Sequence, residues 1–343
     1  MKPLRRRVLK FGGTSLDSEE KHRQIAALVR KALLDRIHPL LVVSAPGRRG
    51  APYATDTLLQ FIHRDLPEAN HVLGTSLGEI ISSLQVASSL RENGIRSIAL
   101  TGKEAGIQTV GSCKNAVIRQ VDPSYLNTLL QEGWVPVIAG FQGADSYGTR
   151  TLLSRGGSDA TATAIAAALA ADRVEIYTDV PGIMTADPRR VQQARIIPSL
   201  VYEEAHRLAS RGAKVIHPEA VRWAASRSIP LHIMSLQTAS ADKTLIMEGA
   251  PRFIPLGLTY REEKGWSTMT VVYGASQPVS AETIRTIVDA VPSRNLEIRQ
   301  GEGSIDIRIP SVLLSSVLCS IHQLLFEREE EKYVSPAMAE KGG

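Results

Sequence analysis

A lysine followed by paired glycines is the first chemically suggestive pattern in this chain. In the run VLKFGGTS, Val8 to Ser15, a short apolar stretch leads into Lys10-Phe11-Gly12-Gly13-Thr14-Ser15, and a helical pattern follows. Adjacent glycines at a strand end let backbone N–H groups close on an anion, because no Cβ blocks the approach. Lys10 sets a mobile positive charge beside that nest, and Thr14 and Ser15 add hydroxyls. Such a loop is suited to phosphate. It is not of the Walker type, since GxxxxGK[ST] does not occur in the chain. A plain strand-to-helix turn with a surface lysine would contain the same residues, so the pattern needs support from elsewhere.

Two further segments supply it. SRGGSDATATAIAAALA, from Ser154, sets Arg155-Gly156-Gly157-Ser158-Asp159 at the mouth of an Ala-rich helix. A helix N-terminus favours an anion, and an arginine grips a carboxylate or phosphate through two parallel bonds. Asp159 could be only an N-cap, but a cap does not require Arg-Gly-Gly before it. EIYTDVPGIMTADPR, Glu175 to Arg189, ends a strand at Thr178-Asp179 and continues through a Pro-Gly turn to Asp187-Pro188-Arg189. Loops of this length at strand ends usually carry function. One match is a decoy. His63-Arg64-Asp65-Leu66 with Asn70 fits the protein-kinase catalytic loop, yet no Gly-rich loop, V-A-I-K, D-F-G or A-P-E accompanies it. The eight histidines form no HExxH or other close metal-ligand pair, and no residue is singled out as a metal ligand.

The elements around these segments alternate strand and helix. Strands are expected at 8–11, 39–44, 96–100, 134–139, 174–178 and 231–234. Helices are expected at 19–34, 75–91, 161–171 and 217–226, with another beginning at Asp122-Pro123, Asp as N-cap. Asp17 with Glu20 reads as a capping box for the first helix. This βαβα order predicts a three-layer αβα sandwich with a mainly parallel sheet, whose ligands sit beyond the carboxyl ends of the strands. After residue 248 the pattern becomes β-α-β-β-α: strands at 268–273, 295–299 and 304–309, helices at 281–290 and 311–326. Residues 327–343, opening with EREEEK, read as a solvated, disordered tail.

The bulk composition is that of a soluble globular protein. A length of 343 residues suits two domains, and 43% hydrophobic with 22% charged residues is ordinary for a globular protein. No run of about eighteen apolar residues predicts a membrane span. Cys113 and Cys319 are too few for a disulfide framework or a zinc site, which favours a cytoplasmic location. The net charge of +5 suits anionic small molecules, whereas sparse aromatics (5%) and unclustered basic residues argue against nucleic acid.

In order along the chain stand KFGGTS, LVVSA with Thr55-Asp56 beyond it, Gly78-Glu79, PVIAGFQG, RGGSDATATA, IYTDVPGIMTADPR and GAKVIHPEAV. Together they closely resemble aspartate kinase, of the amino-acid kinase superfamily, over about residues 6 to 248. The loop GRRGAPYATDTLL is most similar to lysine-pathway aspartokinases of Gram-positive spore formers. Acetylglutamate, glutamate, uridylate and carbamate kinases share Gly-rich elements but not this full set.

The resemblance implies an amino-acid kinase fold and transfer of the ATP γ-phosphoryl group to the β-carboxylate of L-aspartate, with Mg²⁺ bridging phosphates. It implies catalytic roles for Lys10 and Asp159. Arg155 would take the substrate carboxylate and Glu79 its ammonium, with Ser15, Thr55 and Ser158 adding polar contacts. Gly12, Gly13, Thr178, Asp179, Arg189 and Lys214 would join Lys10 around the nucleotide. It also implies a catalytic domain over 1–248 and an ACT-like module over 256–326. Aspartate kinases usually carry two such modules, so a homodimer with weakened end-product inhibition is expected.

Departures from the family pattern are Ser154 for Gly, Ile80 where many members have Arg, Met184 for Tyr, and QTASADKT at 237–244. None removes a named catalytic group. Two other readings stay open: a kinase of the same fold with a different acceptor, and a catalytically weak amino-acid-sensing subunit.

Overall fold

The computed structural model describes residues 5–154, 156–213, 215–237, 242–252, 254–275, 279–291 and 296–326. Contacts group them into two compact units that do not follow chain order. The first is Met1–Val180 with Glu219–Ala239, the second Pro181–Pro218 with Ser240–Gly343.

The first unit contains strands β1 (Arg5–Phe11), β2 (Ile37–Val43), β3 (Ser97–Leu100), β4 (Ile107–Ser112), β5 (Asn115–Val121), β6 (Val135–Ala139), β7 (Gln142–Ala144), β8 (Arg150–Leu152), β9 (Arg173–Thr178) and β11 (Leu231–Ser235). Its helices are α1 (Glu19–Leu34), α2 (Thr55–Leu58), α3 (Glu68–Glu92), α4 (Ser124–Gln131), α5 (Gly157–Leu169) and α7 (Pro218–Ala225). Six strands pair in the order β11-β9-β1-β2-β6-β3, every pair parallel. β2 and β6 are near-continuous apolar runs because both faces are covered. On one face Leu9, Phe11, Leu41, Val43 and Val137 pack against Ile25 and Val29 of α1 and Val86 and Leu90 of α3. On the other, α5 contacts β1, β2 and β9. Thr161, Ala162, Ala164 and Ile165 of α5 are fully buried, which is why that helix is Ala-rich. The result is the expected αβα arrangement.

β1 is flanked by β9 and β2, and the chain departs from it in both directions. The crevice at such a switch point, beyond the strands' carboxyl ends, is where α/β sheets take ligands. Gly12–Ser15 and Thr178-Asp179 both lie at that end. A smaller sheet, β5-β4-β7-β8, completes the unit.

The second unit contains β10 (Ser199–Val201), α6 (Tyr202–Ser210), β12 (Thr244–Met247), β13 (Pro255–Glu263), β14 (Trp266–Tyr273), α8 (Ala281–Asp289), β15 (Glu297–Gly301), β16 (Ser304–Pro310) and α9 (Leu314–Phe326). β10 pairs with β12 in parallel, and β13-β14-β16-β15 form an antiparallel sheet. Met269, Val271, Ile305, Ile307, Leu318 and Ile321 centre its core.

Several local expectations shift. Ser18, not Asp17, caps α1, its Oγ accepting from Lys21 N; Asp17 instead pairs with Lys21 Nζ at 2.6 Å. Pro123 occupies the N-cap of α4, while Asp122 Oδ1 accepts from Ser124 N at 3.0 Å. α3 begins at Glu68, seven residues before the expected Thr75. The sequence pattern after residue 248 missed a strand, β13, which precedes the others. The expected tail, 327–343, lies outside the described residues. Among the described residues no helix is long and apolar enough to cross a membrane.

Candidate functional site

Strand alternation decides which side chains meet. Leu9 and Phe11 join the core beneath α1 and α3, so Lys10 projects to the opposite face, toward α5. Its Nζ sits 2.6 Å from Asp159 Oδ1, with both side chains buried. Asp159 is the third residue of α5, whose N-cap is Gly156 in the left-handed conformation. The carboxylate therefore does not cap the helix; it faces Lys10. Its position in the first turn keeps negative charge where the helix dipole favours it.

Glu79 lies deeper and differently. It is 4% exposed, and its Oε2 has no hydrogen-bond partner among the described residues. Burial pushes its carboxyl up to about 8, against the backbone amides of Glu79 and Ala45, which pull it down. Gly78 permits this depth. A Cβ there would stand 2.6 Å from both Ala45 Cβ and Tyr53 O, so only glycine lets α3 seat against the 44–54 loop.

Lys10, Gly13, Thr55, Glu79, Ser158 and Asp159 all line one cavity of about 730 Å³. Ser15, Thr178 and Asp179 line a second, of about 80 Å³, with Thr14 and Lys21. Gly13 and Thr14 are consecutive, so the 3-10 turn Gly13–Ser15 touches both cavities. Gly13 is packed tightly: a Cβ would stand 2.5 Å from Ala45 O and 2.6 Å from Gly47 O. Gly12 N donates to Tyr177 O at 3.0 Å, extending the sheet ladder. That amide is committed, so an anion nest here starts no earlier than Gly13. Arg189 lies in the second unit, its backbone N donating to Asp187 Oδ1 at 3.0 Å. Arg155 and Lys214 lie outside the described residues. His63, Arg64 and Asp65 of the decoy motif are exposed on a turn ahead of α3.

Lys114, Thr75 and Phe141 are among the lining residues that the sequence reading did not single out. Lys114 comes from the tight turn of the β4–β5 hairpin. Thr75 sits one turn before Glu79 on α3 and is buried. Phe141 holds φ at +66°, a conformation that bulky residues adopt only under constraint. Among the described residues no group of three or more His, Cys, Asp or Glu is gathered to hold a metal ion.

Chemically, the larger cavity offers an ammonium–carboxylate pair at one place and, at another, a buried carboxyl with one oxygen left unpaired. It can hold a small molecule that brings its own cation to Glu79 and an anionic centre to Lys10.

Residues 5–235 match the family model described as Amino acid kinase family. Aspartokinase 1 of Bacillus subtilis (strain 168) is 41% identical over 239 residues, covering 69% of this chain and 59% of that protein. The aspartokinase of Geobacillus stearothermophilus is 36% identical over 299 residues, covering 85% of this chain and 70% of that protein. Among solved structures, E. coli aspartokinase III in complex with lysine and aspartate superposes with a TM-score of 0.70 at 21% identity, over 93% of this chain and 99% of that one. Clostridium acetobutylicum aspartate kinase gives 0.67 at 18%, over 94% and 100%. At those identities the structural likeness establishes the fold. The family model and the curated relatives establish that this chain belongs to the amino acid kinase family and, within it, to the aspartokinases.

Proposed function

We propose that the protein transfers the γ-phosphoryl group of ATP to the β-carboxylate of L-aspartate, giving 4-phospho-L-aspartate. The observation that carries this is the buried Glu79, whose Oε2 has no partner among the described residues, in the same cavity as the Lys10–Asp159 pair. An amino-acid acceptor needs a group for its ammonium, and a transferring phosphoryl group needs a cation. Phosphoryl transfer asks the protein chiefly for positioning and charge stabilisation.

In this reading Glu79 takes the substrate ammonium, and Thr55 and Ser158 orient its carboxylates. Arg155 adds a carboxylate contact by family resemblance. Lys10 neutralises charge on the transferring group, and Asp159 holds Lys10 in place through the 2.6 Å contact. Thr178 and Asp179 receive the nucleotide side, and Ser15, expected among the substrate contacts, lines the same cavity and is moved to the nucleotide here; that common cavity at the sheet's switch point supports this. Gly12, Gly13, Arg189 and Lys214 are assigned to the nucleotide by resemblance. Mg²⁺ would arrive on the nucleotide's phosphates, as befits a hard cation that needs few protein ligands.

Residues 1–248 would form the catalytic domain and 256–326 an ACT-like module. Strands β13 and β15 lie at the edges of their sheet, and pairing with a second copy would cover an edge, which supports a homodimer. ADP release measured with ATP, Mg²⁺ and a panel of amino acids tests the proposal. Release should depend on L-aspartate; release with another amino acid alone would move the assignment to that acceptor.

A further inference from the structure

We propose that Arg48 is a further nucleotide-site residue, which exchanges Asp179 for the phosphates of the bound nucleotide. The proposal rests on the placement of the nucleotide at Thr178 and Asp179.

The root of the 44–54 loop is fixed to the glycine turn. Ser44 N donates to Phe11 O at 3.1 Å, and Gly47 N to Gly13 O at 2.8 Å. Gly47 lines the larger cavity with Lys10, and a turn closed by Ala51 N to Arg48 O at 2.8 Å follows at once. Arg48 is thereby presented at the rim of that cavity. Its guanidinium pairs with Asp179, at the end of β9, and Asp179 lines the smaller cavity with Thr14 and Ser15. One side chain thus spans from the rim of one cavity to the wall of the other. A polyphosphate running between the two would pass beneath it.

Two other cations near the glycine turn, Lys10 and Lys21, are more firmly engaged. Lys10 is buried against Asp159, and Lys21 is held by both Asp17 Oδ1 and Thr14 O at 2.6 Å. Arg48 is 63% exposed and Asp179 37%. An exposed pair of this kind is weak, so a ligand displaces it at little cost. A phosphate chain carries more negative charge than one carboxylate and offers oxygens matched to the guanidinium fork.

Calorimetric titration of the full chain with AMP, ADP and ATP, in Mg²⁺, tests this on wild type, Arg48→Ala and Arg48→Lys. Arg48→Ala should weaken ATP and ADP by about tenfold or more, the loss expected for one charge-assisted contact, and AMP by less than about twofold. The KM for aspartate should not move, and Arg48→Lys should recover part of the loss. ATP binding within about twofold of wild type would overturn the proposal. So would equal losses for AMP and ATP, the signature of a merely distorted loop. Wild-type protein that binds ATP without phosphorylating aspartate removes the acceptor assignment alone, and the titration still decides Arg48. Wild-type protein that binds no nucleotide overturns both.

Discussion

Replacing Glu79 by glutamine gives a quantitative test of the ammonium site. The carboxyl is held at about 8 by burial, so only about one molecule in eleven has it ionised at pH 7. A substrate ammonium binds the ionised form, and apparent affinity scales with the fraction competent. Between pH 8.5 and pH 6 the KM for aspartate should therefore rise about 80-fold in wild type. Glu79→Gln keeps the shape and removes the charge. It should raise KM by about 30-fold or more at pH 8.5, the range for losing one partner of a buried charge pair. The variant's KM should be nearly flat with pH, so the gap to wild type closes toward pH 6.

Stability gives an independent reading of the same group. Its folded value is raised, so the neutral form favours folding. The contribution is complete below about pH 4.5 and is lost as pH rises through about 8, by up to about 5 kcal/mol. Denaturation of the aspartate-free protein should show that decline, and Glu79→Gln should abolish it. Initial rates at saturating ATP, with urea melts at each pH, supply both measurements. A wild-type KM constant from pH 6 to 8.5, or a variant with unaltered KM, would refute the reasoning.

Lys10→Ala should lower kcat by about 10²–10³, the loss for one transition-state electrostatic donor, in a protein whose circular dichroism is unchanged; an unchanged kcat would remove Lys10 from the mechanism. Gly78→Ala should destabilise the fold by about 1–3 kcal/mol and raise the aspartate KM, because its Cβ meets Ala45 and Tyr53. Thermal melts with steady-state kinetics would show this, and a neutral effect on both would mean that α3 does not need its close seat. Light scattering at micromolar concentration should report a dimer, and a monomer would remove the assignment of the sheet edges.

Much of the site was readable because its parts are local. KFGG and RGGSD each combine a strand end or helix mouth with glycines and a charge, and β1 and α5 appear where those patterns place them. That Lys10 and Asp159 are partners follows from nothing local. It needs β1 to lie under α5 with Lys10 on the right face. Arg48 and Asp179 are 131 residues apart, and only the parallel sheet brings the two loops together. The β4–β5 hairpin stayed hidden because Val110 and Val117 are half exposed, which blurs the apolar alternation. β13 stayed hidden because only Leu256 to Thr259 are buried, while Gly257 and the charged end Arg261 to Glu263 break any clean strand pattern. Glu79's burial depends on Gly78, whose importance appears only once α3 meets the 44–54 loop.

The product proposed for this cavity is an acyl phosphate on the side-chain carboxylate of aspartate. Trapping the product with hydroxylamine and identifying the hydroxamate by mass spectrometry and comparison with authentic isomers tests it most directly. The β-hydroxamate of L-aspartate should form, only with ATP, and should be lost in Lys10→Ala. An α-hydroxamate, or a hydroxamate from another amino acid with none from aspartate, would contradict it.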